Sequence, residues 1–196
     1  MTEAAQVVQA LRAGGIVLLP TDTVYGLAVH PEHGSASLAR LFAMKRRPLS
    51  RNLPIMVASA DQAAALGARV TAPARRLLAA FSPGPLTLAL GLDVERAPDW
   101  LAGRDEIAIR IPDDAFLLDV LGQAGPLLVT SANLHAQETP EAFADVLAGL
   151  DGTPDLALDG GVRATVPSTL VNCNLPTPAV ERVGAVPAEQ IAKVLA

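Results

Sequence analysis

The chain has 196 residues, of which 51% are hydrophobic, and a formal net charge of −5. This size and apolar content favour a single domain spanning residues 1–196 around one buried core. The acidic balance and an aromatic content of 3% speak against a broad nucleic-acid-binding face built on base stacking. A single cysteine excludes an intramolecular disulfide, and no run reaches the roughly 18 apolar residues of a membrane span, so we expect a cytoplasmic protein without membrane association.

Hydrophobic periodicity alternates between helical and strand patterns along the chain. The first pattern is an amphipathic helix with Ala4, Val7, Val8 and Leu11 on one face, ended by glycines at 14 and 15. Predicted strands follow at residues 16–19, 54–58, 86–90, 106–111, 127–130, 156–158, 168–173 and 179–183, and predicted helices at 37–44, 61–66, 71–80, 114–121, 139–150 and 187–195. Because several predicted strands follow one another directly, the pattern indicates an α/β fold with a mixed sheet.

A polar segment, PTDTVYGL at residues 20–27, follows the first predicted strand. Loops at strand ends are where α/β proteins build their binding sites, and this one supplies Thr21, Asp22, Thr23 and Tyr25. The same residues also suit a polar turn whose side chains bind their own backbone. The position after a buried strand favours a functional loop.

A cluster of cations, Lys45, Arg46, Arg47 and Arg51, lies at the end of a predicted helix in this otherwise acidic chain. Cations at a helix C-terminus complement the helix dipole, which accounts for one or two of them better than for four. Pro48 stops the helix, so Arg47 and Arg51 are expected on a loop where both converge on a polyphosphate.

Arg110 lies in the predicted strand at 106–111. Period-two alternation places Ile107, Ile109 and Ile111 on one face of that strand and Arg110 on the other. Arg110 therefore either lines a cleft or points to solvent, and the strand pattern leaves both readings open.

Residues 130–133 (TSAN) place two hydroxyls and an amide at the end of another predicted strand, and Thr139 begins the next predicted helix, whose N-terminus favours an anion. We do not assign Ser131 as a nucleophile, because the G-x-S-x-G elbow is missing. We also assign no metal site, because His30 and His33 lack a third ligand with supporting spacing.

Nucleotide binding by a glycine-rich cradle is excluded, because neither G-x-x-x-x-G-K-[ST] nor G-x-G-x-x-G occurs. Any nucleotide must be held by side chains. The segments at 159–161 (DGG), 167–171 (PSTLV) and 181–184 (ERVG) add a turn, a hydroxyl pair and an arginine, although each also suits a plain turn, cap or surface charge.

Taken together, these segments resemble the YrdC/TsaC family of threonylcarbamoyl-adenylate synthases in order and spacing, over nearly the whole chain. The matching motifs are PTDTVYGL from Pro20, K-x-R-P from Lys45, SPGPLT from Ser82, I-R-x-P from Ile109, SAN from Ser131, STLV from Ser168 and RVGA from Arg182. The resemblance implies a YrdC-like α/β fold, with a twisted mixed parallel and antiparallel sheet, flanking helices and a large open cleft.

The resemblance also implies an activity, L-threonylcarbamoyladenylate synthesis. The threonine amine captures carbon dioxide or bicarbonate, the carbamate attacks the α-phosphorus of ATP, and pyrophosphate leaves without a protein nucleophile. ATP is then a substrate, and Mg²⁺ is expected with it. The product serves N6-threonylcarbamoyladenosine formation in tRNA through threonylcarbamoyl-transferase partners, and direct tRNA binding stays open.

The residue roles that the resemblance implies fall into two groups. Thr23, Arg110 and Ser168 are expected to bind L-threonine. ATP is expected to contact Lys45, Arg47, Asn52, Ser131, Asn133, Thr139 and Arg182. Lys45 and Arg47 are the expected catalytic cations, because two anions that repel each other must be aligned.

The chain departs from the family pattern at a few positions. Many relatives carry a histidine at the end of the strand that follows the basic motif, where residues 54–58 read PIMVA, and Thr139 stands where relatives often have serine. The chain ends soon after the Arg182 motif, so we expect no additional C-terminal domain. The alternatives are a paralogue of the same fold that binds nucleotide with another carbamoyl-type substrate, and an RNA-binding module without synthase activity.

Overall fold

A computed structural model describes residues 1–33, 35–48 and 52–196. Arg51, which the sequence analysis placed beside Arg47 on a loop, lies outside the described residues. The helices are α1 Glu3–Arg12, α2 Ser35–Met44, α3 Ala60–Ala65, α4 Ala72–Phe81, α5 Ala115–Ala124, α6 Phe143–Ala148 and α7 Ala188–Leu195. The strands are β1 Val17–Leu19, β2 Gly26–Val29, β3 Ile55–Met56, β4 Ala68–Arg69, β5 Leu86–Leu92, β6 Glu106–Arg110, β7 Leu127–Ser131, β8 Leu156–Ala157, β9 Thr169–Asn172 and β10 Ala179–Arg182.

Side-chain caps begin two of the helices that flank the sheet. Thr2 Oγ1 accepts a hydrogen bond from Ala5 N at the start of α1, and Asp114 Oδ1 accepts one from Leu117 N at the start of α5. Such caps satisfy backbone N–H groups that have no partner within the helix. The apolar face of α1 packs against α5, as its periodicity predicts.

The strands form one mixed sheet in the order β10-β9-β5-β6-β3-β7-β2-β1-β8, with β4 pairing on β5. The pairs β1–β8, β3–β6 and β5–β9 are parallel, and the other pairs are antiparallel. This arrangement confirms the predicted mixed sheet.

Apolar side chains cover both faces of the sheet. In β1, Leu18 belongs to one buried cluster with the residues of α2 and α4, whereas Val17 and Leu19 belong to a second cluster with α1 and α5. Successive residues of a strand point to opposite faces, so the helices lie in two layers around the sheet. Within the described residues, no helix is long and apolar enough to cross a membrane.

The structure differs from the predicted elements at strands β2 and β4, which the pattern did not predict, and at the start of α6. Strand β2 begins within the segment predicted as a polar loop at 20–27, and its four consecutive buried residues show no alternation that would predict a strand. The helix predicted at 139–150 begins only at Phe143, so Thr139 does not open it. The Thr139 hydroxyl instead donates to Asn133 Oδ1 at 3.2 Å and is buried in the loop that precedes the helix.

Candidate active site

A cavity of about 370 Å³ lies where β2 begins and β7 ends. Strands β3, β5 and β6 and the segment before β9 also contribute to it, so the site draws on distant parts of the sequence. Its lining consists of Thr21, Thr23, Val24, Gly26, Arg47, Asn52, Leu53, Pro54, Met56, Thr87, Ala108, Arg110, Val129, Thr130, Ser131, Pro167, Ser168, Leu170 and Arg182.

Arg110, the last residue of β6, lines this cavity. Its neighbours Ile107 and Ile109 are buried in the core on the opposite face, which decides between the two readings of the strand pattern. The guanidinium lies 2.6 Å from Asp22 Oδ1 in an ion pair whose side chains are 6% and 9% exposed. Nη1 donates to Thr23 Oγ1 at 2.9 Å, and Nε donates to the Gly84 carbonyl at 3.2 Å.

Burial is the main influence on the pKa of Arg110. It lowers the pKa of the Arg110 guanidinium, and Asp22 acts in the opposite direction through its charge and its hydrogen bond. Asp22 Oδ2 is buried and has no hydrogen-bond partner among the described residues. The carboxylate is thus committed to one arginine and fixes its orientation beside Thr23.

Thr23 lies in a turn whose hydroxyls bind one another. Thr21 Oγ1 donates to the Val24 carbonyl at 2.6 Å, accepts from Thr23 N at 3.1 Å, and lies 3.2 Å from Thr23 Oγ1. Both threonines are buried and line the cavity. The two interpretations of this segment therefore hold together: it is a self-bonded turn, and it is part of the site.

Ser168 and Arg182 contact each other at the cavity. Arg182 Nε and Nη2 donate to the Ser168 carbonyl at 3.1 and 2.9 Å, and Nη2 lies 3.3 Å from Ser168 Oγ. The hydroxyls of Ser168 and Thr87 are 2.8 Å apart. Burial lowers the pKa of Arg182, and the positive charge of Arg110 lowers it further. The two guanidiniums are therefore close enough to influence each other.

Lys45 lies behind the cavity wall and is not among the residues that line it. Only 2% of the residue is exposed. Its ammonium donates to the carbonyls of Ser131 and Asn133, both at 2.5 Å, and lies 3.4 Å from Asn133 Oδ1. Burial lowers the pKa of Lys45 to about 7, and the charge of Arg47 acts in the same direction.

The lysine is one part of a network around the loop after β7. Asn133 Nδ2 donates to the carbonyls of Leu134 and Gln137 at 2.8 and 2.6 Å, and Thr139 donates to Asn133 Oδ1. Lys45, Asn133 and Thr139 therefore hold the loop that follows Ser131, the last residue of β7, which itself lines the cavity.

Arg47 lies shortly after the end of α2. Its Nη2 donates to the Asn52 carbonyl at 3.0 Å, and its guanidinium carbon lies 5.9 Å from the centre of the Phe42 ring. Arg47 and Asn52 both line the cavity. The adjacent Arg46 turns outward and pairs with Asp151 at 2.8 Å, with 70% of its side chain exposed.

The structure thus brings most of the predicted site residues to one cavity. Those that line it are Thr23, Arg47, Asn52, Arg110, Ser131, Ser168 and Arg182. Lys45, Asn133 and Thr139 lie one layer behind. Sequence reasoning gave no role to Asp22, Thr21 or Thr87, although each belongs to a motif that it singled out. The partners of Asp22 and Thr87, which are Arg110 and Ser168, are distant in sequence.

A larger cavity of about 650 Å³ lies at the other end of β2. Its lining includes His30, Glu32, Asp99 and Trp100, and none of its described lining residues is an arginine or a lysine. A polyphosphate requires cationic or N–H donors. The smaller cavity, with Arg47, Arg110 and Arg182, is therefore the candidate active site.

Comparison with known families gives a match over most of the chain. The family model for Sua5, YciO and YrdC proteins, described as "Telomere recombination", matches residues 9–184. The threonylcarbamoyl-AMP synthase of Bacillus subtilis is 32% identical over 97% of this chain and 56% of its own length. That of Halorhodospira halophila is 36% identical over 86% of this chain and 84% of its own length. The chain spans about half the length of the B. subtilis and Pyrococcus abyssi relatives.

Solved structures match in three dimensions as well. The crystal structure of P. abyssi Sua5 complexed with L-threonine aligns with a TM-score of 0.86 and 31% identity, over 97% of this chain and 56% of that one. Escherichia coli YciO aligns with a TM-score of 0.85 and 26% identity, over 96% of this chain and 92% of that one.

Proposed function

This chain belongs to the Sua5, YciO and YrdC family, and from that membership and the composition of its cavity we propose that it is an L-threonylcarbamoyladenylate synthase. The substrates are L-threonine, bicarbonate or carbon dioxide, and ATP. The products are threonylcarbamoyl-AMP and pyrophosphate. The cytoplasm is the expected location, and the acceptors of the adenylate are threonylcarbamoyl-transferase partners that act on tRNA.

The reaction joins two anions. The threonine amine attacks the carbon of carbon dioxide and releases a proton, and the resulting carbamate oxygen attacks the α-phosphorus. The bond between that phosphorus and the bridging oxygen breaks, and its electron pair leaves with pyrophosphate. The protein must bring a carbamate and a triphosphate into line against their repulsion, for which fixed cations and N–H donors are suited.

The triphosphate is assigned to the part of the cavity that Arg47, Ser131 and Arg182 line. Arg182 supports this role because the hydrogen bonds of its Nε and Nη2 hold the guanidinium in place, while Nη1 makes no hydrogen bond within the described part of the chain. Asn52 holds Arg47 through its carbonyl. Lys45, Asn133 and Thr139 are proposed to serve ATP by holding Ser131 and the loop that follows it.

L-Threonine is assigned to the end of the cavity with Thr23, Arg110 and Ser168. These residues combine a guanidinium for the carboxylate with two hydroxyls for the remaining polar groups of the amino acid. The crystal structure of P. abyssi Sua5 is a complex with L-threonine, which supports an amino-acid site in this fold.

Mg²⁺ is proposed to enter with the phosphates of ATP. Protein-held Mg²⁺ is usually bound by one or two carboxylates, and the described lining of the cavity carries none. Asp22 lies between the lining residues Thr21 and Thr23 in the sequence, and its carboxylate forms an ion pair with Arg110. These residues do not form a protein-held magnesium site, and no step of the proposed reaction is derived through one.

The observation that carries the proposal is the convergence of Arg47, Arg110 and Arg182 on one cavity in a chain of net charge −5. The test is pyrophosphate release by the purified protein with ATP, Mg²⁺ and bicarbonate, with and without L-threonine. We expect release that depends on L-threonine. Release that is equal without it would point to the paralogue with another carbamoyl-type substrate.

Substitutions in the cavity and a control substitution outside it separate a loss of catalysis from a general effect on folding. We expect Arg47→Ala and Arg182→Ala each to lower turnover by about tenfold or more, the loss of one charge-assisted contact of roughly 1.5–3 kcal/mol. Arg75→Ala is the matched control, because Arg75 lies on α4 outside the cavity and binds the Val70 carbonyl. Salt-sensitive RNA binding without turnover would favour the RNA-binding alternative.

A further inference from the structure

The hydrogen bonds around Thr21 determine the direction in which the Thr23 hydroxyl points. A threonine hydroxyl has one proton to donate and two lone pairs to accept. Thr21 donates its proton to the Val24 carbonyl at 2.6 Å, and one of its lone pairs accepts from Thr23 N at 3.1 Å. In the 3.2 Å contact between the two hydroxyls, Thr21 therefore accepts and Thr23 donates.

The hydrogen bonds of Thr23 can be counted in the same way. Its proton is used on Thr21, and Arg110 Nη1 donates to one of its lone pairs at 2.9 Å. One lone pair of Thr23 Oγ1 is left. Thr23 lines the cavity, so it presents an acceptor there and no donor.

Thr21 also lines the cavity, but its hydroxyl is fully occupied by Val24 and Thr23. The residue is 2% exposed, and its methyl group lies near Gly26. A ligand in the cavity has no hydrogen bond to gain from Thr21. Any effect of this hydroxyl on a ligand must pass through Thr23.

We infer that Thr21 is a positioning residue that keeps the proton of the Thr23 hydroxyl turned away from the cavity, so that the Thr23 oxygen accepts a hydrogen bond from the amino-acid substrate. This inference rests on the proposed function, because it takes L-threonine as the ligand at Thr23. L-Threonine offers suitable donors in its amine and its hydroxyl. Without Thr21 as acceptor, the Thr23 proton turns toward the cavity and meets a donor of the ligand.

The first test is L-threonine binding measured by calorimetry. Thr21→Val keeps the shape of the side chain and removes the hydroxyl, and we expect it to weaken L-threonine binding by about tenfold, the loss of one hydrogen bond. Thr21→Ser restores the hydroxyl without the methyl group and should bind as the wild type does. ATP binding should be unchanged in both variants.

A double-mutant cycle separates positioning from a general structural effect. If Thr21 acts through Thr23, then Thr21→Val combined with Thr23→Val should bind L-threonine no more weakly than Thr23→Val alone. Effects that add overturn the inference, as does wild-type affinity in Thr21→Val. Should Thr21→Val not fold, Thr21→Cys takes its place, because a thiol donates weakly to Val24 and accepts poorly from Thr23.

The outcomes also separate this inference from the proposed function. Wild-type protein that binds L-threonine and releases pyrophosphate, together with an unaffected Thr21→Val, overturns the positioning role alone. Wild-type protein that does not bind L-threonine overturns both.

Discussion

Lys45 offers the sharpest test of how the loop after β7 is held. Lys45→Met keeps the length of the aliphatic chain and removes the ammonium that donates to the Ser131 and Asn133 carbonyls at 2.5 Å. Each buried carbonyl that loses its donor costs about 1–3 kcal/mol. Removing a buried charge offsets part of this loss, so we expect the free energy of unfolding to fall by about 2–4 kcal/mol near neutral pH.

The effect should depend on pH in a defined direction. Burial lowers the pKa of Lys45 to about 7, so above that pH the unfolded chain binds a proton that the folded chain does not. The stability of the wild type therefore rises with pH by up to roughly 1.4 kcal/mol per pH unit from about pH 7 towards about pH 10, and the methionine variant lacks this gain. Below about pH 7 both states of the wild type are protonated, and the cost of burying the charge is present in full.

Urea denaturation at about pH 6, 7.5 and 9 measures this difference. The gap between wild type and Lys45→Met should widen as the pH rises. Arg46→Met is the matched control: Arg46 is the next residue, its pair with Asp151 is exposed, and such pairs contribute less than about 1 kcal/mol. A gap that stays constant across this range would refute the lowered pKa, and equal stability of Lys45→Met and wild type would refute the role of Lys45 in holding the loop.

Three further substitutions or reactions test other parts of the structure. Arg110→Gln leaves the buried Asp22 carboxylate without its cation and should lower the free energy of unfolding by about 3–5 kcal/mol; Asp22→Asn in the same chain should restore part of it, and an unchanged urea midpoint would contradict the buried pair. Gly26→Ala places a Cβ 2.9 Å from a methyl carbon of Val129 and should lower the free energy of unfolding by about 1–3 kcal/mol, measured by thermal unfolding. Wild-type stability of this variant would show that β2 and β7 can move apart without cost. Cys173 is buried and its pKa is raised to about 11, so its alkylation at about pH 8 should be at least roughly a hundredfold slower than in denaturant, and similar rates would show an accessible thiol.

Local sequence signals predicted most of the fold. Thr71 and Asp114 mark helix starts through their own hydrogen bonds to the next turn, and the alternation in β6 separates the core isoleucines from Arg110. Strand β2 escaped prediction because the burial of all four of its residues depends on neighbours on both sides, β1 and β7, which a local pattern does not contain.

The candidate site was predictable in composition but not in arrangement. The family resemblance implied that Lys45 and Arg47 act together as catalytic cations. In the structure Lys45 turns inward to carbonyls 86 and 88 residues away, whereas Arg47 lines the cavity. Thr139 was expected to cap a helix, but its hydroxyl is used by Asn133 across the loop. The hydrogen bonds of Lys45 and Thr139 both depend on which acceptors the folded chain brings near them. Residue spacing does not predict those acceptors.

The internal partners of the cations also bear on which substrate occupies which end of the cavity. Arg110 is neutralised by the Asp22 carboxylate, so its surroundings suit an amino acid, whose own charges cancel. Arg182 donates to neutral oxygens of Ser168 and keeps its full charge, which suits a polyphosphate. Oxygens of the chain already hold both guanidiniums, so the proposed ligands would bind to donors that are fixed in place. Little reorganisation would then oppose the approach of the carbamate to the α-phosphorus in the proposed reaction.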